Sequence, residues 1–183
     1  RTEGGGLARP ISIYLSPHND DVCFSLGSQA RAVGGELVNI FTRSGYVAAG
    51  LPLPDDLAER IKLISQLRRA DDMRFAAVAR LNRHDLGLSE PPVVGIRPFD
   101  LNGIHQEVEL LRCVLIPYLE ELLPERFTPD GATLYCPMGI GDHRNHLSTL
   151  MAIRNAFPSL SRRCAIRLYE DLHYASNAEA RKR

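Results

Sequence analysis

Short apolar runs alternate with amphipathic segments along the chain, and this pattern predicts an α/β fold. The apolar runs that predict strands are residues 11–16, 36–42, 84–88, 133–136 and 163–169. The segments between them that repeat apolar residues at helical spacing are residues 22–33, 54–81, 104–123 and 142–157. Because strands separated by helices pair in parallel through right-handed crossovers, we expect a mostly parallel sheet with helices on both faces.

Three stretches lack this periodicity. Residues 1–10 contain three glycines, and we expect a flexible lead-in there. Residues 44–54 and 89–103 follow the second and third predicted strands, and long loops in a compact domain are commonly functional, so we expect them to shape a pocket and select its substrate. No repeat or linker divides the chain, so residues 1–183 are predicted to form a single catalytic domain. The first residue is Arg rather than Met, which is compatible with removal of an upstream segment.

The composition is that of a globular protein. A length of 183 residues suits one domain with its own core, and 44% hydrophobic with 24% charged residues excludes a disordered chain. Lys plus Arg and Asp plus Glu both total 22, so no net charge favours nucleic acid or an anionic membrane. No apolar run approaches the roughly 20 residues that span a bilayer. We therefore expect a cytoplasmic protein that acts on a small molecule, with homo-oligomer formation left open.

The cysteines do not form a paired motif. Cys23, Cys113, Cys136 and Cys164 are widely separated, and no CxxC pair occurs. We expect buried, reduced thiols of a cytoplasmic protein, with disulfide pairing as the less favoured alternative.

Two polar clusters follow predicted strands that are far apart in the chain. The first is Ser16-Pro17-His18-Asn19-Asp20-Asp21, after residues 11–16, and the second is Gly139-Ile140-Gly141-Asp142-His143-Arg144-Asn145-His146, after residues 133–136. In an open α/β sheet, such strand ends line the ligand crevice. Because His, Asn and Asp also form turns and helix caps, each cluster alone is ambiguous, and the pair is what indicates chemistry.

The spacing within the second cluster favours a metal site. If Asp142 or a neighbour caps the helix, His143 and His146 project from the same side of its first turn. They then face the corner that carries His18 and Asp21. Two histidines and one carboxylate leave open positions on a divalent metal, as a hydrolytic zinc site requires, and the remaining carboxylate and histidine are free for acid-base and oxyanion chemistry. The spacing leaves open which aspartate binds the metal.

Together these motifs resemble those of the LmbE-like family of zinc-dependent deacetylases, also called PIG-L. The resemblance rests on Pro17-His18-Asn19-Asp20-Asp21 and on the late Gly-Asp-His-Arg-Asn-His segment, in the right order and context. Weaker matches are Thr42-Arg43-Ser44-Gly45, Leu67-Arg68-Arg69-Ala70-Asp71 and Tyr169-Glu170-Asp171-Leu172-His173-Tyr174. The resemblance implies a Rossmann-like three-layer fold and hydrolysis of an N-acyl group, usually N-acetyl, from an amino sugar or its conjugate.

The resemblance also implies a role for each residue of the two motifs. His18, Asp21 and His146 would hold the metal, which would be zinc or another divalent ion such as Fe2+. Asp20 would be the general base that takes a proton from the metal-bound water and later protonates the leaving amine. His143 would stabilise the tetrahedral oxyanion together with the metal.

Substrate contacts are marked less clearly. The candidates for contact with the sugar are Arg43, Ser44, Arg68, Glu90 and His173. Asn19 and His173 stand where the family most often has Pro, and Glu90 at best replaces the family's usual acid after the third strand. The chain also stops soon after Tyr174, where family members generally continue, which suggests a truncated C-terminus.

Other interpretations of these residues stay open. A metal-dependent hydrolase of another amide, ester or phosphoester would use the same ligands, and a pseudoenzyme would keep the fold to bind a sugar or nucleotide without turnover. The complete set of ligands and base argues against the pseudoenzyme, since a binding module needs no such set.

Five further residues are assigned roles outside the two motifs. We expect structural roles for His84 and His105 and packing roles for Tyr169 and Tyr174. For Asp171 we expect either orientation of a ligand histidine or backbone capping.

Overall fold

The computed structural model describes residues 10–46, 52–123 and 128–176, except for the side chain of residue 173. The strands there are β1 (Ile11–Ser16), β2 (Gly35–Arg43), β3 (Leu81–Ser89), β4 (Ala132–Pro137) and β5 (Ala165–Tyr169). The helices are α1 (Asp21–Val33), α2 (Leu57–Ala79), α3 (Ile104–Leu122), α4 (Arg144–Asn155), α5 (Phe157–Leu160) and α6 (Leu172–Ala175), with a 3-10 helix at Pro91–Val94. None of these helices is long and apolar enough to cross a membrane. The predicted lead-in, except residue 10, and residues 47–51 of the first predicted loop lie outside the described part.

The strands form one sheet in the order β3-β2-β1-β4-β5, and every neighbouring pair is parallel. Side chains of β1 alternate between its two faces, as successive residues of a strand must. Ile13 and Leu15 join the core beneath α3 and α4, whereas Tyr14 joins the core beneath α1 and α2. The predicted α/β fold, a parallel sheet with helices on both faces, is therefore confirmed.

Two boundaries differ informatively from the prediction. β3 begins at Leu81, earlier than the apolar pattern indicates, because pairing with β2 starts there and keeps additional residues in the sheet. The helix predicted over residues 142–157 ends at Asn155, and Phe157–Leu160 forms a separate short helix. The proline of that short helix lies in its first turn, where a missing N–H is tolerated.

The cysteines are all free thiols, but not all are buried. Cys136 and Cys164 are buried, as predicted, whereas Cys23 and Cys113 are exposed. The prediction is wrong for the latter two because they lie on the outer sides of α1 and α3, away from the apolar faces that pack on the sheet.

The order of the strands creates a crevice beside β1. From β1 the chain continues to β2 and β3 on one side, and it then returns to place β4 on the other side of β1. The connection after β1 leads toward β2, and the connection after β4 leads the opposite way, toward β5. Where two neighbouring parallel strands diverge in this way, a ligand crevice opens between their carboxyl ends. The two polar clusters follow β1 and β4, so the fold brings both to the same crevice.

Candidate active site

The two polar clusters meet at the carboxyl ends of β1 and β4. His18 follows β1 closely, and Asp21 is the first residue of α1. A turn leads from β4 to His143, which is the N-cap of α4, and His146 lies in the first turn of that helix. Two strand ends and two helix starts therefore fix the positions of these side chains.

Three acceptor atoms converge at the centre of the crevice. His18 Nδ1 lies 3.2 Å from Asp21 Oδ2 and 3.2 Å from His146 Nε2, and the last two atoms are 3.3 Å apart. All three residues are buried. The triangle has the ligand spacing of a tetrahedral zinc site, in which bonds of about 2.0–2.1 Å place neighbouring ligand atoms about 3.3 Å apart.

An amide from α4 orients the ring of His18. Asn145 Nδ2 donates to Glu107 Oε1 on α3 at 2.8 Å, and this bond turns Asn145 Oδ1 toward His18. His18 Nε2 then donates to that oxygen at 3.0 Å. With a proton on Nε2, the ring turns Nδ1 toward the crevice.

A carboxylate from the far end of the chain orients His146. Asp171 Oδ1 accepts from His146 Nδ1 at 2.6 Å, and Asp171 Oδ2 accepts from the Ile140 amide at 2.9 Å. Asp171 therefore both holds the ring of a candidate ligand histidine and accepts a hydrogen bond from a backbone amide, so the structure shows both contacts between which the sequence could not choose. The arrangement turns His146 Nε2 toward His18 Nδ1 and Asp21 Oδ2, where this nitrogen holds either a proton or a metal ion, and carboxylate–histidine pairs of this kind are common behind metal ligands.

The converging acceptors favour a positive charge. Burial disfavours a charged imidazole, but Asp21 and Asp171 outweigh it and raise the pKa of His146 to about 10. Burial also opposes ionisation of Asp21, but His146 and His18 hold the pKa of this carboxyl well below its usual range. A buried group of acceptors is stable only when a cation, either a proton or a metal ion, lies among them.

His143 lies next to these three residues. Its Nδ1 accepts from the Asn145 backbone N–H at 3.3 Å, so its proton belongs on Nε2. Burial, together with the rings of His18 and His146, lowers the pKa of His143 to about 2, and the ring is neutral near neutral pH. Candidate ligand atoms of these three histidines all lie within 4.8 Å of one another, which makes His143 an alternative metal ligand.

Asp20 lies at the edge of the crevice, with its side chain 51% exposed. Arg68 Nη2 on α2 donates to Asp20 Oδ1 at 2.8 Å, and Arg68 Nη1 donates to Ser44 Oγ and Glu90 Oε1, both at 3.0 Å. Ser44 Oγ donates in turn to Glu90 Oε2 at 2.7 Å. Three of the predicted substrate contacts thus form one hydrogen-bonded group that holds Asp20.

A cavity of about 260 Å³ opens over these groups. Both predicted pocket loops contribute to its wall: Tyr46 comes from the loop after β2, and Glu90, Pro92, Pro98 and Phe99 come from the segment after β3. The other lining residues are His18, Asp20, Asp21, Arg68, His143 and Tyr174. The cavity therefore joins two of the candidate metal ligands, His18 and Asp21, the half-exposed carboxylate of Asp20 and an aromatic wall.

The other predicted substrate contacts are placed differently. Among the described residues, Ser44 does not line the cavity but supports residues that do. Arg43 lines a separate shallow groove of about 340 Å³ along α2 rather than this cavity. The side chain of His173 lies outside the described part of the structure, so its role stays a prediction.

The structure adds residues that the sequence did not single out. Asn145 and Glu107 orient one candidate ligand, and Phe99 and Tyr174 form an aromatic wall with ring centroids 6.2 Å apart. Tyr174 was predicted only to pack, although its position in the late weak motif was a signal. Glu107 and Phe99 carried no signal, because a helix acid and a loop aromatic are ordinary residues.

Comparison with known proteins places these features in context. No family model matches the chain. The chain is 30% identical, over 190 aligned positions, to 2'-N-acetylparomamine deacetylase of Streptomyces fradiae, with 98% of this chain and 63% of the relative covered. It therefore spans less than two thirds of that curated relative. The crystal structure of the A40926 pseudoaglycone deacetylase Dbv21 has a similar fold, with a TM-score of 0.61 and 22% identity over 93% of this chain and 66% of that one.

Proposed function

We propose that the chain is a deacetylase of the LmbE-like, or PIG-L, family and that it removes an N-acetyl group from an amino sugar with the help of a divalent metal. The observation that carries this proposal is the triangle of His18 Nδ1, Asp21 Oδ2 and His146 Nε2. Two imidazole nitrogens and one carboxylate oxygen are a donor set that suits zinc. The other nitrogen of each imidazole ring is already hydrogen-bonded, to Asn145 in one case and to Asp171 in the other, as is common for metal-binding histidines. A divalent ion held there supplies Lewis acidity toward water and toward the acetamide carbonyl.

Asp20 is the residue that we assign to proton transfer. It lines the cavity next to the candidate ligands, and the hydrogen bond from Arg68 reaches its Oδ1. Oδ2 is therefore the oxygen that takes a proton from the attacking water. The same oxygen returns the proton to the sugar nitrogen, which must leave as a neutral amine when the C–N bond breaks.

His143 is the residue that we assign to the oxyanion. Its Nδ1 is engaged by the backbone N–H of Asn145, so Nε2 carries the proton and donates a hydrogen bond. The negative charge that develops on the former carbonyl oxygen strengthens this bond in the transition state, and such bonds contribute most in a buried site. A neutral donor also adds no positive charge beside the candidate metal ligands.

The cavity wall suits a sugar ring that carries an acetamide. Its volume of about 260 Å³ lies just below the roughly 300–1,000 Å³ of typical ligand pockets. Arg68 and Glu90 offer a donor and an acceptor to sugar hydroxyls, and Phe99 and Tyr174 offer apolar surface to the ring face. The Streptomyces fradiae relative is named for an N-acetylated amino sugar, which supports this substrate class.

Two measurements on the full chain test the proposal. Mass spectrometry of the zinc-loaded, dialysed protein is expected to show a stoichiometric divalent metal. Acetate release is expected from N-acetyl amino sugars and not from a matched panel of acetate esters and phosphoesters. A protein that binds no metal and releases no acetate from the sugars contradicts the proposal, and turnover of the esters alone would favour the alternative hydrolase.

A further inference from the structure

Glu107 on α3 lies behind both the candidate metal site and the wall of the cavity. Its side chain is only 13% exposed, and its two oxygens face three donors from α4. Oε1 accepts from Asn145 Nδ2 at 2.8 Å and from Ser148 Oγ at 2.5 Å, and Oε2 accepts from Arg144 Nε at 2.8 Å. One carboxylate on α3 therefore holds the first two turns of α4.

The side chain of Asn145 needs such a partner because the two ends of an amide have almost the same shape. One end is an oxygen that accepts hydrogen bonds, and the other is an NH2 group that donates them. His18 Nε2 lies 3.0 Å from one end of this amide, and Glu107 Oε1 lies 2.8 Å from the other. Because a carboxylate accepts and does not donate, the NH2 group must face Glu107 and the oxygen must face His18.

The direction of the amide decides which ring nitrogen of His18 is available to a metal ion. An amide oxygen only accepts, so His18 Nε2 keeps a proton whether a proton or a metal ion lies among the candidate ligands. A reversed amide would point an N–H at Nε2, and a neutral ring would then carry its proton on Nδ1. That atom lies 3.2 Å from Asp21 Oδ2, and a proton on it competes with a metal ion, which binds only an unprotonated nitrogen.

We propose that Glu107 is a positioning residue of the metal site: through Asn145 it keeps a proton of His18 on Nε2 and so leaves Nδ1 for the divalent ion. The inference rests on the proposed deacetylase function, because that function requires the ion. The same carboxylate also contacts Arg144, whose guanidinium donates to the backbone carbonyls of residues 100, 102 and 103. Glu107 therefore connects a candidate metal ligand with the segment that carries Phe99 of the cavity wall.

The test is Glu107→Gln, which keeps the shape of the side chain but gives it an N–H donor. Arg144 Nε needs an acceptor, so the oxygen of the new amide should turn toward Arg144 and its NH2 group toward Asn145. Asn145 must then turn its own oxygen toward position 107 and its NH2 group toward His18 Nε2. We expect zinc affinity, measured by competition with a chromophoric chelator, to fall about 10- to 100-fold. The visible absorption bands of the cobalt-loaded protein should shift as well.

A second substitution should restore the site. In the Glu107→Gln background, Asn145→Asp replaces the reversed amide with a carboxylate, which accepts from the NH2 group at position 107 and from His18 Nε2. We expect the double variant to recover most of the lost zinc affinity. Asn145→Asp alone places two carboxylates against each other and should destabilise the fold. Recovery of this kind is not expected of a residue that only packs.

Two controls separate positioning from stability. Glu109→Gln removes the same charge from the same helix at an exposed position, and it should keep zinc affinity. Arg144→Met removes the charged partner of Glu107 but leaves the carboxylate facing Asn145. It should therefore lower stability in urea and keep zinc affinity. All affinities are compared for protein that circular dichroism shows to be folded.

The outcomes separate this inference from the proposed function. Equal zinc affinities of Glu107→Gln and Glu109→Gln would overturn the inference and leave the deacetylase intact. A loss of affinity that Arg144→Met shares, or that a folded double variant does not recover, would also overturn it. If the double variant does not fold, the comparison of Glu107→Gln with Arg144→Met decides.

The unchanged protein supplies the remaining outcomes. If it binds no zinc, the proposed function fails and the inference fails with it. If it binds zinc but releases no acetate from N-acetyl amino sugars, only the proposed function fails. The pattern of zinc affinities among the variants would then still support the role of Glu107.

Discussion

His146 Nδ1 donates a 2.6 Å hydrogen bond to Asp171 Oδ1, and both side chains are almost completely inaccessible to solvent. Replacing Asp171 with Asn keeps the size of the side chain but brings an amide N–H against either the His146 ring or the Ile140 amide. We expect Asp171→Asn to weaken zinc affinity about 10- to 100-fold. Competition with a chromophoric chelator measures this change.

The control for that experiment is Asp130→Asn, at an exposed position in the turn before β4. It removes the same charge and should leave zinc affinity unchanged. Equal affinities of Asp171→Asn and the unchanged protein would show that the histidine does not need this carboxylate to bind metal.

The adjacent carboxylates Asp20 and Asp21 are expected to respond differently to substitution. Asp20→Asn should keep the metal and lose about 10²- to 10⁴-fold in turnover, because it removes the proton acceptor but not a ligand. Asp21→Ala and His146→Ala should lose the metal. Metal content by mass spectrometry and acetate release are measured on the same samples, and equal metal loss in all three variants would mean that Asp20 has the wrong role.

Variants of His143 decide between an oxyanion donor and a metal ligand. His143→Ala should lower kcat about 10²- to 10³-fold while the metal stays bound, because only the transition state gains from the N–H donor. His143→Gln should recover part of the rate, since its amide also donates. Metal loss in His143→Ala would instead support the alternative ligand set of His18, His143 and His146.

Arg144 is expected to hold the loop that carries part of the cavity wall. Its guanidinium is buried, contacts Glu107 Oε2 at 2.8 Å, and donates to three backbone carbonyls of residues 100–103. Arg144→Met leaves the Glu107 carboxylate without its charge partner, and breaking a buried pair costs about 3–5 kcal/mol of unfolding free energy. Urea denaturation measures the loss, and KM should rise because the loop also carries Phe99.

The matched variant is Arg112→Met, which breaks an exposed ion pair with Glu109 on α3. Exposed pairs contribute little, so urea denaturation should show almost no change. If both arginine variants are equally stable, the Arg144 pair does not support the loop.

Gly141 is required by two separate features of the turn before α4. Its φ is +88°, and a Cβ there would lie 2.7 Å from the Cβ of Tyr174. Gly141→Ala should therefore destabilise the fold and displace Tyr174 from the cavity, with lower activity.

The control variant Gly87→Ala isolates the backbone effect, because Gly87 has φ +74° and nothing lies within 4 Å of the added carbon. Backbone strain of this kind costs about 1–3 kcal/mol of unfolding free energy. Thermal unfolding should show a larger loss for Gly141→Ala, and similar losses would argue against the Tyr174 contact.

Several features followed from local sequence. β1 occupies the predicted residues 11–16, because its apolar run and the proline after it act within a few positions. His18 and Asp21 are three residues apart at the start of α1, and His143 and His146 are three residues apart at the start of α4. This spacing alone predicted that the two side chains of each pair lie close together. Alternation of strands and helices was sufficient to predict a parallel sheet.

Contacts between distant segments were decided only by the tertiary structure. His18 and His146 meet at 3.2 Å although 128 residues separate them, and their partners Asn145 and Asp171 are recognisable only once the helices are packed. The active-site cavity likewise exists only because α1, α2 and the segment after β3 pack around the strand ends. Periodicity determines which face of an element is apolar, but the distance between two side chains on different elements depends on how those elements pack together. The sequence by itself therefore determined the fold class and the candidate chemistry, whereas the orientation of each ring and the shape of the active-site cavity were decided by packing.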